Sequence, residues 1–412
     1  MDVFSFRIPG SPGDQYVIPV SGGADSTALA IHLVQRYPAT PWKLVFTDTL
    51  QEPDSTYESL DRLETFLGLP ITRLTPAKGL YDLVRGFNGF LPSGGQRWCT
   101  RMLKTEPYEA WIKGIRKDAE TIWSFVGIRV DEDRTGLISH MDYIQTIMPF
   151  VELGMNREDV YRILRESIGI PSFYRNKTRS GCVSCFFQRR TEVIALAKSQ
   201  PLVFLEAADV EKVRNAPAID RPFTGQFVFP FFREILNPPK RKLPHRSQGQ
   251  TIDLLRSEPM DDWFVGAEFF IDPNVGCDGI WWQDLVTFGK TLGGVNRALA
   301  FHYQHRIATS QVVPWELDAD EMHQQLHLAV YHLQVPLGTI PGHSTDPKDY
   351  TWRKGESYLG IFHQLQAFQQ VFADIFRSDK DSNQIINRWR FAPPEKLLEE
   401  SENHSVCLAC SN

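Results

Sequence analysis

Two groups of residues in this sequence have the types and spacing to do chemistry. The first is the string Ser21-Gly22-Gly23-Ala24-Asp25-Ser26-Thr27. Adjacent glycines let the backbone turn sharply and approach a ligand with no Cβ in the way. The hydroxyls of Ser21, Ser26 and Thr27 add donors. A helix following the turn would aim its unpaired N–H groups and the positive end of its dipole at the same point, which suits a pyrophosphate. The plainer reading is a tight turn capped by Asp25 and Ser26. The full seven-residue string, set between a strand and a helix, favours the phosphate site. The lysine-bearing Walker loop is absent. The second group is the cysteines. Six are too sparse for a disulfide scaffold, and four of them form two Cys-x-x-Cys pairs, Cys182 with Cys185 and Cys407 with Cys410. In a reducing compartment that spacing points to a metal or cluster, or to a redox or sulfur-carrying pair. Cys277 stands alone and reads as a small buried apolar residue.

The elements that must position these residues alternate. Tyr16–Val20 is a short apolar run of the kind a buried parallel strand shows, and Ala24–Gln35 reads as a helix. Lys43–Thr47 is a second strand. Asp54–Leu67 is an amphipathic helix with Gly68 at its C-cap. Ile71–Leu74, a helix over Lys104–Lys113 and a strand over Thr121–Ile128 continue the pattern. Asn156–Ser167 is a helix with Asn156 as N-cap. This alternation predicts an α/β domain, a doubly wound parallel sheet covered by helices on both faces. The proline-rich stretch 216–246, with its basic run Lys240-Arg-Lys, marks a linker. We therefore expect an α/β domain over 1–235, carrying the glycine-rich loop and the first Cys-x-x-Cys pair, and a mostly α-helical domain over 236–412 that ends in the second pair. Ala319–Leu333 and Ser357–Phe376 are the clearest helices of the second domain.

Bulk properties exclude several classes. The 412 residues are 42% hydrophobic and 23% charged, ordinary for a globular protein with a core. No run of roughly eighteen apolar residues predicts a membrane span, and the N-terminus does not read as a signal peptide. A cytoplasmic location and no membrane partner are expected. A net charge of −6 argues against nucleic-acid binding by the whole surface, and leaves room for a local basic patch.

The 21–27 string resembles the signature of the PP-loop ATP pyrophosphatases, whose members have an adenine-nucleotide-binding α/β fold and cleave ATP to AMP and pyrophosphate. Ala24 stands where the most similar subgroup commonly has lysine. Over roughly residues 16–190 the chain is also similar to the phosphoadenosine-phosphosulfate reductase family in the wide sense. The blocks that carry this are Trp98-Cys99-Thr-Arg101-Met-Leu-Lys104-Thr-Glu-Pro107, Val126-Gly127-Ile-Arg129-Val-Asp-Glu-Asp-Arg134, and Pro149-Phe150 through to Ser180-Gly181-Cys182-Val-Ser-Cys185. Cluster-bearing reductases have two adjacent cysteines where this chain has Cys99-Thr100. They also tend to have a degraded phosphate loop, which here is intact. That combination looks more like the ATPases of DNA phosphorothioation and related phage-defence systems, or like the cluster-bearing thiolases of transfer RNA.

The resemblance implies ATP, magnesium and a 4Fe–4S cluster as cofactors. Asp25, Ser26 and Arg129 would be the catalytic residues. Ser21, Gly22, Gly23, Thr27 and Asp48, with Arg101, Lys104 and Arg134, would hold the nucleotide or sulfur-linked anions. Asp48 follows the second strand and meets the ribose or adenine edge, or else is an ordinary helix-leading acid; both readings stand. Surface pairing with Asp131, Glu132 or Asp133 competes with anion binding for Arg134, and less so for Arg129. Cys99, Cys182 and Cys185 supply three thiolates, and Cys407 or Cys410 would close the site. A zinc ion held by the two Cys-x-x-Cys pairs is the competing reading. Implied partners are a cysteine desulfurase or other modification-system proteins, and DNA or transfer RNA as substrate. A candidate surface for the latter is the basic and aromatic stretch from Tyr174 to Arg190, with a solvated basic rim as the equal competing reading; the basic linker from Lys240 to Arg246 is a second, weaker candidate. Two rival functions remain. One is a sulfonucleotide reductase in which a tail cysteine such as Cys410 attacks sulfur. The other is a non-catalytic nucleotide-sensing subunit of a defence complex, stapled by zinc.

Overall fold

The computed structural model describes residues 6–117, 120–133, 141–214, 259–271, 274, 280–310, 317, 319–342, 346–377 and 386–392. The chain divides into two compact units: Met1–Gln188 with Ala308–Glu316, and Arg189–Ile307 with Leu317–Asn412. The boundary expected near 235, the proline-rich linker, Arg134, Cys277, Cys407 and Cys410 all lie outside the described residues.

The first unit is built on a parallel sheet of β1 (Gln15–Pro19), β2 (Trp42–Thr47), β3 (Ile71–Leu74), β4 (Ile122–Phe125) and β5 (Ile144–Ile147), in the order β3-β2-β1-β4-β5. Every neighbouring pair runs parallel, with Tyr16 opposite both Trp42 and Trp123. Val17 and Ile18 are both fully buried, so β1 is covered on both faces, as a central parallel strand must be. Each such side chain contributes roughly 1.5–3 kcal/mol of burial. Helices α1 (Ala24–Arg36), α2 (Asp54–Leu67), α3 (Leu80–Gly86), α4 (Glu106–Ile115) and α5 (Arg157–Arg165) connect and cover the strands. The sequence did not signal α3 or β5.

Two helix ends follow the sequence reading closely. Gly68 closes α2 in the left-handed conformation (φ 62°), its N–H donating to the Glu64 carbonyl. Asn156 caps α5, its Oδ1 accepting from Glu158 and Asp159 N–H at 2.8 and 3.3 Å. The strand order decides where a ligand sits. From β1 the chain passes to β2 on one side, while β4 pairs on the other. The crevice beyond the C-terminal ends of β1 and β4 is therefore the switch point of the sheet, where open α/β sheets bind ligands.

The second unit contains α6 (Arg190–Ser199), α7 (Pro201–Asp209), α8 (Leu292–Thr309), α9 (Ala319–Gln325) and α10 (Tyr358–Arg377). Alongside them lies a small antiparallel sheet that the sequence reading did not place. Its strands are β6 (Met260–Ile271), β7 (Ile280–Gly289), β8 (Leu326–Pro336) and β9 (Ile386–Ala392), ordered β7-β6-β8-β9. The helix expected over 319–333 is corrected here: it ends at Gln325 and the chain continues as β8. β8 is paired on both edges, by β6 and β9, and most of its side chains are buried. Its nearly continuous apolar run carries no period that separates strand from helix. Gly266 of β6 is required because a Cβ there would meet Leu299 of α8 at 2.9 Å. Within this unit the buried Glu268 carboxylate accepts from Arg306 Nη2 at 2.8 Å and lies 2.7 Å from His302 Nε2. No helix among the described residues is long and apolar enough to cross a membrane.

Candidate nucleotide and thiol site

The 21–27 loop leaves β1 and opens α1, as the sequence pattern requires. Gly22 has φ 69°, and a Cβ there would meet Thr56 Cγ2 at 2.7 Å and the Thr56 carbonyl oxygen at 3.1 Å. Gly23 lies directly beneath Ser180, so a side chain at Gly23 would collide with that serine. Ser21 N–H donates to Ser26 Oγ at 3.0 Å, and the two hydroxyls are 3.0 Å apart. Both serines thus shape the loop from within it. The N-cap Gly23 offers no side chain to the N–H groups that open α1, the groups that would face an anion. Thr27 differs from the expectation of a ligand-facing hydroxyl. It is fully buried, and its Oγ1 has no hydrogen-bond partner.

Three groups reach the loop from distant parts of the chain. Ala24 N–H, at the start of α1, donates to the Tyr174 hydroxyl at 2.9 Å. Burial holds the Tyr174 phenol well above its ordinary value of 10, so it stays protonated. Gly127, just beyond β4, abuts the loop backbone: a Cβ there would stand 2.7 Å from the Asp25 carbonyl carbon and oxygen. Arg129 is 4% exposed and its guanidinium pairs with Asp25. The same side chain reaches Asp131 and Glu132, both at 2.9 Å. Burial works against the Arg129 charge, but Asp25 and then Asp131 and Glu132 more than offset it and raise its pKa. Arg129 is therefore at the loop, as expected, with carboxylates as its present partners.

Asp48 is buried behind the loop that follows β2. Its Oδ1 accepts from Leu50 N–H and from the Tyr57 hydroxyl, both at 2.8 Å. Leu50 adopts φ 57°, so one role of Asp48 is to hold a strained turn. Arg101 is exposed and pairs with Glu106 at 3.2 Å, away from the other candidates' bonds.

Lys104 leads to the thiols. It lies in a π-helical turn, Arg101–Thr105, that follows the helical turn Trp98–Thr100 and feeds into α4. Its Nζ is 3.7 Å from Glu52 Oε1. Burial opposes the charge, while Glu52, Cys182, Cys185 and Cys99 raise its pKa, so all three described cysteines lie within its electrostatic reach. Cys182 Sγ is 3.2 Å from Thr49 Oγ1 and 3.7 Å from Glu52 Oε1. Burial, and then Glu52, push the Cys182 thiol far up, against smaller opposing effects from Lys104 and Thr49. Burial likewise raises Cys99. All three cysteines are free thiols.

The Cys-x-x-Cys block is tied down on every side. Lys177 Nζ donates to the Gly181 and Cys182 carbonyls at 2.6 and 2.9 Å. Val183 N–H donates to the Gln51 carbonyl at 2.8 Å, and Tyr81 donates to Ser184 Oγ at 3.0 Å. The basic and aromatic stretch around this block is consequently less exposed than the sequence suggested. Tyr174, Lys177 and Gln188 are buried, Arg179 lies over the Phe187 ring, and Arg190 is paired with Glu356.

The metal expectation can be tested against these donors. Among the described residues, no three His, Cys, Asp or Glu side chains converge closely enough to hold an ion as they stand. The chemistry of the set nevertheless fits a thiophilic metal. It has three soft thiols and beside them Glu52, whose buried Oε2 has no hydrogen-bond partner. Sequence reasoning missed Glu52, and it named Tyr174 and Ser180 only within the basic stretch and the closing cysteine block; their places at the phosphate loop depend on contacts across the fold.

A parallel sheet with a glycine-rich phosphate loop at its switch point defines a nucleotide-binding α/β domain. Residues 15–188 match the phosphoadenosine phosphosulfate reductase domain, so this part of the chain is similar to the PP-loop, PAPS reductase-like proteins. Among solved structures, the chain is similar to phosphoadenylyl-sulfate (PAPS) reductase from Candida auris in its phosphate complex. The identity is 14%, over 37% of this chain and 72% of that one, with a TM-score of 0.29. No curated protein matches the chain.

Proposed function

We propose that the first unit is an ATP pyrophosphatase that activates a substrate for sulfur transfer to nucleic acid. One observation carries the reading: the Ser21–Thr27 loop is complete, opens a helix whose N-cap Gly23 makes no side-chain hydrogen bond of its own, and lies at the sheet's switch point beside a buried arginine. An oxygen nucleophile, water or the acceptor, would add to the α-phosphorus. The bond to the α–β bridging oxygen would break, and pyrophosphate would leave with the electron pair.

Loop N–H groups and the Ser21 and Ser26 hydroxyls would hold the departing pyrophosphate. Arg129 would exchange Asp25 for a phosphate oxygen, since a guanidinium grips either anion bidentately. Asp25, released, would orient the nucleophile or the magnesium that accompanies the nucleotide. Magnesium supplies charge neutralisation at the pyrophosphate. Cys99, Cys182 and Cys185 would hold the sulfur-handling centre, a 4Fe–4S cluster or a zinc ion, and a cysteine desulfurase is the expected class of sulfur donor.

The test is product identification with pure protein and ATP. AMP and pyrophosphate support the reading, and ADP with inorganic phosphate defeats it. A second reading has its own observation. Ala24 N–H is occupied by Tyr174 and Asp25 by Arg129, a filled loop that suits a subunit sensing nucleotide without cleaving it. Tight ATP binding with no turnover selects that reading.

A further inference from the structure

Glu52 has no part in the phosphate chemistry above, yet it is a carboxylate whose side chain is 2% exposed. It sits on the loop after β2, fixed by a hydrogen bond of 3.0 Å from Thr49 Oγ1 to its Oε1. The same oxygen faces Cys182 Sγ and Lys104 Nζ, each at 3.7 Å. Its other oxygen is buried and has no hydrogen-bond partner. A buried carboxylate oxygen left unpaired is costly, and a bound ion is one explanation for its retention.

The spacing points the same way. A metal bound tetrahedrally by a thiolate at about 2.3 Å and a carboxylate oxygen at about 2.0 Å holds sulfur and oxygen about 3.5 Å apart. Cys182 Sγ already stands 3.7 Å from Glu52 Oε1, to which its thiol now donates, and replacement of that proton by a metal would leave the pair at the required separation. Charge also agrees. Three thiolates and a carboxylate carry more negative charge than a divalent ion cancels, and Lys104 is placed to offset part of the excess. With three cysteines in the described chain, one donor is wanting, and Thr100 has no soft atom to offer.

We infer that Glu52 is the fourth donor of the Cys99–Cys182–Cys185 centre, in the place the sequence assigned to a cysteine of the tail. This rests on the reading that the three thiols hold a metal. Binding must draw Cys99 and Cys185 towards the Cys182–Glu52 pair, because the thiols do not yet converge.

The experiment uses the full-length chain, produced without oxygen and reconstituted in parallel with iron plus sulfide and with zinc. Metal content, absorbance near ~400 nm and retention against a chelator are read for the wild type, Glu52→Gln, Glu52→Cys and the tail pair Cys407→Ser/Cys410→Ser. Circular dichroism reports folding. We expect the tail variant to match the wild type. Glu52→Gln should lose at least about tenfold in metal retention, and Glu52→Cys should restore it with a soft donor. If Glu52→Gln fails to fold, metal held by Glu52→Cys but lost from Glu52→Ala decides the matter in favour. Metal retained fully by Glu52→Gln, or lost only from the tail variant, overturns the role of Glu52 and leaves the metal reading standing. A wild type that takes up neither iron nor zinc overturns both.

Discussion

Replacing Gly127 by alanine tests the placement of the phosphate loop directly. An added Cβ would lie 2.7 Å from the Asp25 carbonyl carbon and oxygen and 3.0 Å from Ser26 N. These neighbours are backbone atoms and cannot rotate away. Relief requires moving the loop, or the segment after β4, by roughly 0.5–1 Å. Overpacking of this kind costs about 1–3 kcal/mol. Displacement of reacting groups by about 1 Å can cost about 10²-fold in rate. We expect Gly127→Ala to lower kcat/KM for AMP formation by 10- to 100-fold, on the order of that penalty, with a few degrees lost from Tm. Gly114 is the control: a Cβ there meets nothing within 4 Å, so Gly114→Ala should leave activity intact and stabilise the chain slightly. The assay is chromatographic separation of AMP from ADP, with thermal unfolding in parallel. Full activity and an unchanged Tm in Gly127→Ala would refute the close approach of the β4 end to the loop, and with it the argument that the two strands share one site.

Three other outcomes are expected. Asp25→Ala should abolish AMP and pyrophosphate release while leaving the circular dichroism spectrum unchanged, because Asp25 is partly exposed and pairs with Arg129; a loss of fold would show that the ion pair is structural. Tyr174→Phe frees the Ala24 N–H and removes a hydrogen bond worth about 0.5–1.5 kcal/mol, so ATP should bind more tightly, by up to about tenfold, in calorimetric titration; weaker binding would mean that the hydroxyl itself touches nucleotide. Glu211 is pushed up to about 8, mainly by burial, against the opposing Trp352 and Tyr358 N–H groups. Its folded value exceeds its ordinary 4.5, so the stability it confers is complete below that value and is lost as pH rises through about 8. Melting curves between pH 5 and 9 should show this decline, and Glu211→Gln should flatten it.

The legible part of this protein is its local part. The β1–loop–α1 passage could be read from the sequence because the strand, the glycine pair and the helix are contiguous and each has its own signal. The caps at Gly68 and Asn156 were legible for the same reason. Strand β8 was not. A strand paired on both edges reads as an unbroken apolar run, and a preceding helix made the whole segment look helical. The candidate site divides along the same line. Cys182 and Cys185 announce themselves by spacing, and Asp25 and Ser26 by motif. Tyr174, Ser180, Gly127 and Glu52 matter because the fold carries them to the loop or to the thiols. Asp48 shows the limit from the other direction: the sequence left its role open between nucleotide contact and an ordinary loop acid, and its bonds to Leu50 and Tyr57 show it holding a turn.

The contacts that fasten the Cys-x-x-Cys block have a consequence for the order of assembly. Ala24 and Tyr174 are 150 residues apart, Thr49 and Cys182 are 133 apart, and Tyr81 and Ser184 are 103 apart. Closing such long loops is entropically slow, and contacts of this range form only after nearer ones have organised the chain. During synthesis, then, Cys99 emerges long before the segment that will shield it, and Cys182 and Cys185 dock onto a sheet already in place. The thiols pass through an interval of full solvent exposure in every newly made molecule. Oxidants present in that interval would capture an unfinished chain, whereas the folded one keeps Cys182 Sγ between Thr49 and Glu52.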